Sequence, residues 1–136
     1  MRVDQVDKRT RKVETARETE DWEPREFGDP DAETLVLSWG SNEGPMTEAI
    51  RMLDAEGVDI RFLSVPYLLP RPDLTEAVEA AETVVVVECN ATGQFADIVE
   101  HDTLTRVDRV NKYDGVRFDA DELAAEIEAT VQEATQ

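Results

Sequence analysis

Short apolar runs alternate with helix-patterned stretches along most of this chain. The runs cover residues 34–40, 59–65, 83–88 and 106–110. The first three are the strand type buried on both faces, and strands separated by helix-length segments imply a parallel sheet. Between them, Met46, Ala49, Ile50 and Leu53 fall at helical spacing, with Pro45 suited to a first helical position and Gly57 to a stop. Leu74, Ala77, Val78 and Ala81 repeat that spacing, Phe95, Ile98 and Val99 mark a shorter helix, and Leu123, Ile127 and Val131 form a stripe. Asp119 followed by Glu122 opens that last helix as a capping box would. The order is β-α-β-α-β-α-β-α. Right-handed crossovers with cover on both faces predict an α/β fold, a three-layer α/β/α sandwich with a mostly parallel sheet. Numbering the four runs in sequence, the expected strand order is 2-1-3-4.

Residues 1–33 carry no such pattern. Residues 4–20 have only Val6, Val13 and Ala16 as apolar points, which suits a solvated helix or a disordered arm. Residues 21–33 read as a linker punctuated by Pro24, Gly28 and Pro30, pinned to a surface by Trp22 and Phe27. The expected division is therefore a charged arm and linker over 1–33 and an α/β domain over 34–136.

Charge changes the picture more than composition does. The 136 residues carry a net charge of −18. Residues 1–26 are nearly neutral, whereas residues 27–136 hold seven basic against 24 acidic side chains. Such a surface repels a phosphate backbone, which excludes a nucleic-acid partner. The acids fall on expected helix faces, as at Glu48, Asp54, Glu56, Glu76, Glu79, Asp97 and Glu100. Their mutual repulsion weakens when molar salt shortens the Debye length to about 3 Å. The expectation is a cytoplasmic protein of a high-salt organism. No apolar run nears a membrane span, no secretory signal opens the chain, and the single cysteine, Cys89, suits a reducing compartment.

The turns after the strands hold the candidate chemistry, because a doubly wound sheet gathers its function there. Gly40-Ser-Asn-Glu-Gly44 has the placement of an anion nest but neither a P-loop nor a dinucleotide fingerprint, and Glu43 puts a negative charge where an anion would sit. It reads as a structural turn or as a contact with a ligand or partner. Glu88-Cys-Asn-Ala-Thr-Gly-Gln94 is the most polar strand end; Asn90 and Thr92 either cap the next helix or face a ligand crevice. Cys89 lacks a neighbouring His or Lys and is expected to be buried and inert. His101 is the only histidine and reads as solvated. Asp29-x-Asp31-x-Glu33 begins like a calcium loop but has Thr34 and Gly40 where Gly and Glu are needed. Ser41 has no GxSxG elbow. No catalytic, cofactor-binding or metal set is complete. Asn42, Tyr67, Asn90, Gln94, Asn111, Lys112 and Tyr113 all follow strands and suit an interface.

Taken together, the words Asp7-Lys-Arg-Thr-Arg-Lys-Val-Glu-Thr15, Trp39-Gly-Ser-Asn-Glu-Gly-Pro45, Pro66-Tyr-Leu-Leu-Pro70, Val87-Glu-Cys-Asn-Ala-Thr-Gly-Gln94 and Asn111-Lys-Tyr-Asp-Gly-Val-Arg-Phe118 resemble the C-terminal domain of the α subunit of 2-oxoacid:ferredoxin oxidoreductases. That family's domain is similar to the transketolase C-terminal domain. The resemblance implies an enzyme that oxidatively decarboxylates a 2-oxoacid to its acyl-CoA, using thiamine diphosphate, magnesium, an iron–sulfur cluster and coenzyme A, with ferredoxin as acceptor. The partners implied are the remaining α-subunit domains and the β subunit. The Gly-Pro turn and Asn111-Lys-Tyr-Asp lean toward 2-oxoglutarate over pyruvate. The cofactor-holding parts are missing from this chain, which implies that Met1 is an internal start or a fragment boundary and that the chain alone is inactive. The alternative is a stand-alone, non-catalytic binding or assembly module of the same fold.

Overall fold

Strands that are apolar on both sides need helices on both sides. The computed structural model describes residues 23–40, 43–66, 72–89, 93–111 and 119–134; the expectations for the arm and for Trp22 lie outside these. Strands β1 (Arg25–Gly28), β2 (Thr34–Trp39), β3 (Arg61–Val65), β4 (Thr83–Glu88) and β5 (Asp108–Asn111) form one sheet in the order β1-β3-β2-β4-β5. The last four are mutually parallel, in the order expected from the four apolar runs. Helices α1 (Glu43–Ala55), α2 (Thr75–Ala80), α3 (Gln94–Thr103) and α4 (Ala120–Ala134) cover it.

Within the stretch read as linker, Arg25–Gly28 is a strand, and that reading is corrected. It runs antiparallel to β3, with Arg25 opposite Ser64 and Gly28 opposite Arg61. An edge strand needs only one inward side chain, and Phe27 supplies it, its ring stacked on Phe62 at a 5.7 Å centroid distance. Gly28 ends the strand at φ +81°, where a Cβ would lie 2.1 Å from the Ile60 carbonyl oxygen. Only glycine fits there.

Alternate strand residues feed two separate cores. Val36, Phe62, Val85, Val87 and Val110 meet α1 and α4 through Met46, Ile50, Leu53, Leu123 and Ile127. Leu35, Leu37, Leu63, Val84 and Val86 meet α2 and α3 through Val78, Phe95 and Val99. Each such buried side chain contributes about 1.5–3 kcal/mol. Ile98 is only half-buried and Ala96 takes the inward place beside Phe95. The helix acids point outward as expected: Glu48, Asp54, Glu56, Glu76, Glu79 and Asp97 are exposed, and Glu100 is half-buried.

Helix ends follow local chemistry. α1 begins at Glu43, so Pro45 is its third residue rather than its first, still among the four amides that lack a partner in the helix. It closes with Val58 N–H donating to Leu53 O at 2.9 Å and Gly57 N–H to Asp54 O at 3.0 Å, a Schellman motif with Gly57 at φ +83°. Before α2, Asp73 Oδ1 accepts the Thr75 amide at 3.0 Å. The Thr75 hydroxyl and amide hold the exposed Asp73 carboxyl below its ordinary value. Asp119 Oδ1 accepts the Glu122 amide at 2.8 Å, the forward half of the expected capping box. No helix among the described residues is long and apolar enough to cross a membrane.

Candidate functional site

β2 and β4 lie side by side, yet the helices that follow them pack on opposite faces of the sheet. Their carboxyl ends therefore flank the topological switch point, where such sheets place a crevice. Two turns form its rim: the one from β2 into α1 and the one from β4 into α3.

At the end of β4, Glu88 is 1% exposed. Its position in the strand turns it inward, under the start of α3. Oε1 accepts the Phe95 amide and Oε2 the Ala96 amide, each at 3.0 Å. These are two of the four amides a helix start leaves unpaired, and the carboxylate also sits at the positive end of the helix dipole. Gly93, at the N-cap, adds no side-chain bond. The cap seen is thus on the strand; Asn90 and Thr92, the expected caps, lie outside the described residues. Cys89 is exposed, which corrects its expected burial. Cys89 lies one residue past the end of β4, beyond the helices that cover the strand on both faces.

After β2, Glu43 sits in the first turn of α1 and reaches sideways. Its Oε2 accepts the Ser64 hydroxyl of β3 at 3.1 Å, and Oε1 pairs with Arg25 Nη1 of β1 at 2.8 Å. Arg25 also lies 5.7 Å from the Phe27 ring centroid.

The β5 side is clamped by Arg109. Its Nη2 bonds Asp97 Oδ1 at 2.8 Å and also Glu100 Oε1, and Nη1 reaches Gly93 O at 3.5 Å. Asp97 first and Glu100 second push the guanidinium further toward its charged form. Gly93 has φ +65°, and a Cβ on it would lie 2.7 Å from Arg109 Nη1 and 3.3 Å from Asn111 Nδ2. Glycine here lets strand, helix and side chains converge.

Of the expected interface residues, the structure brings two together at this edge. Gln94 is the exposed first residue of α3. Asn111 ends β5, pairs in register with Glu88, and has a buried Oδ1 with no hydrogen-bond partner. Asn42, Tyr67, Asn90, Lys112 and Tyr113 lie outside the described residues. Sequence reasoning missed Arg25, Ser64 and Arg109. Asp97 and Glu100, three apart on one helix, were the available signal for a facing cation. His101 is exposed and contacts Asp102 at 3.3 Å, as a solvated histidine should.

The described rim does not fit a diphosphate or a coenzyme A phosphate. Two amides at the α3 start are taken by Glu88, Glu43 adds a second carboxylate, and Arg25 and Arg109 are already paired with acids. Among the described residues no group of His, Cys, Asp and Glu could hold a metal ion.

No family model matches the chain. Curated relatives do. Subunit KorA of a 2-oxoglutarate oxidoreductase from Mycobacterium tuberculosis is 38% identical over 109 residues, 78% of this chain and 16% of that relative. The α subunit of 2-oxoacid:ferredoxin oxidoreductase 1 from Aeropyrum pernix is 37% identical over 108 residues, 75% of this chain and 17% of that relative. Among solved structures, 2-oxoglutarate:ferredoxin oxidoreductase from Magnetococcus marinus, with 2-oxoglutarate, coenzyme A and succinyl-CoA bound, superposes with TM-score 0.75 at 21% identity. That match covers 87% of this chain and 21% of that one. Transketolase from Pichia stipitis matches with TM-score 0.57 at 13% identity over 81% of this chain and 18% of that one. The fold is that of these transketolase-like domains, and the chain's homologues are α subunits of 2-oxoacid:ferredoxin oxidoreductases, of which it spans less than a fifth.

Proposed function

We propose that this chain is the C-terminal domain of the α subunit of a 2-oxoglutarate:ferredoxin oxidoreductase from a high-salt cytoplasm, and that its carboxyl edge serves assembly. The observation that carries the family reading is 38% identity to a 2-oxoglutarate oxidoreductase subunit over 78% of the chain. The assembled enzyme converts the 2-oxoacid to its acyl-CoA and passes electrons to ferredoxin; thiamine diphosphate, magnesium and the iron–sulfur cluster belong to its other parts. The state of the edge supports assembly over catalysis. The start of α3 is closed by the chain's own Glu88 carboxylate, while Gln94 is exposed and the buried side-chain oxygen of Asn111 is unpartnered. An exposed amide such as Gln94 suits a polar contact with a neighbouring subunit, and Asn111 lies beside it as the half-buried end of β5.

Reconstitution with Gln94→Ala and Asn111→Ala tests this, reading subunit association by native mass spectrometry and turnover of 2-oxoglutarate and pyruvate. Association and turnover are expected to fall together, with 2-oxoglutarate preferred. Intact association with collapsed turnover would place these residues on substrate or coenzyme. A pyruvate preference would overturn the substrate assignment.

A further inference from the structure

α3 ends in a way that α1 avoids. At the end of α1 the left-handed conformation falls on Gly57. At the end of α3 it falls on Leu104, with φ +54° and ψ +33°, the one non-glycine with positive φ among the described residues. A β-carbon in that region crowds the following carbonyl, so a leucine is strained where a glycine is not. Leu104 is also 91% exposed, the only large apolar side chain among the described residues left so open to solvent. Both features disfavour the isolated domain, and glycine at this one position would relieve both. A lone exposed leucine is ordinary, but one held in a strained backbone on a surface otherwise crowded with acids points to a role outside the domain.

We propose that Leu104 is an apolar knob that seats in an apolar socket on the remaining α-subunit domains. This rests on the proposed function, and it concerns the amino edge of the sheet, opposite the switch-point rim. The occupant is assigned to the α subunit because this chain spans only 16% of its mycobacterial relative, leaving most of that subunit to pack around it. The socket's rim should be basic. The carbonyl end of α3 is the negative pole of its dipole, and the exposed Asp102, which contacts His101, stands two residues before the knob. Desolvated apolar anchors of this kind dominate interface energetics when they fill a pocket.

The test pairs two variants in the reconstituted enzyme. Leu104→Gly should raise the melting temperature of the isolated chain by several degrees while weakening its association with the α-subunit domains at least tenfold. A photo-crosslinking residue at position 104 should capture those same domains. Unchanged association of Leu104→Gly, or crosslinks only to the β subunit or to a second copy, would overturn the knob while leaving the family reading intact. A wild-type chain that joins none of the oxidoreductase subunits would overturn the family reading and the knob with it.

Discussion

At the end of β4 a strand carboxylate reaches forward into a helix, whereas after β2 a helix carboxylate reaches back to two strands. Glu88 is buried and satisfied by two backbone amides. Glu43 is half-buried and shared between a hydroxyl and an exposed arginine. Both acids stand beside a helix start, but only Glu88 uses it. Bonds to a charged acceptor away from water are strong and barely screened, while an exposed ion pair is weak and fades in salt. Glu88 is therefore a charge that holds the fold, whereas Glu43 adds little to it.

Salt should separate the two classes most widely. With −18 on the chain, transfer from molar KCl to low salt is expected to abolish the near-ultraviolet circular dichroism signal. A melting temperature independent of salt would remove the high-salt reading. Next, Glu88→Ala leaves two buried amides without acceptors and should cost about 3 kcal/mol by denaturant titration, a deficit unchanged between 1 M and 3 M KCl. A loss under ~1 kcal/mol would mean that water replaces the carboxylate and that the two turns differ less than their geometry says. Gly93→Ala should cost about 2 kcal/mol through its positive φ and its collision with Arg109. Pairing it with Arg109→Ala in a double-mutant cycle should recover part of that loss, since the collision is with Arg109 itself. The smallest effect belongs to Glu43→Gln, about 0.5 kcal/mol in moderate salt and indistinguishable from zero in molar KCl. A large salt-independent loss there would erase the contrast between the turns.

The parallel strands and the layers were legible because Leu-Val-Leu and Val-Val-Val-Val leave no polar face and must be covered on both sides. The strand order agrees with the expected 2-1-3-4, but no residue pattern dictated it. β1 was not legible. Arg25-Glu-Phe-Gly has one apolar residue amid prolines and glycines, and it becomes a strand only because β3 offers an edge and Phe62 a partner. The Glu88 cap was hidden for a related reason. Its partners lie seven and eight residues on, across a turn, and residue type alone does not reveal which way a strand-end side chain points. Cys89 misled in the same way, since its apolar character suggests burial while its place just past the end of β4 leaves it exposed.

The antiparallel sense of β1 has a consequence for how the domain is tethered. Because Arg25 pairs with Ser64 and Gly28 with Arg61, the polypeptide joins the sheet at its carboxyl edge and runs toward the other. Arg25 thus stands on the same edge of the sheet as the switch-point crevice, and Gly28 on the opposite edge. On the proposed assembly reading, a partner domain joined to the chain ahead of β1 would meet the rim as an intramolecular event, at an effective concentration set by the connecting length. Under that same proposal, weak polar contacts at Gln94 and Asn111 would suffice to hold an edge that would not capture the same partner from free solution.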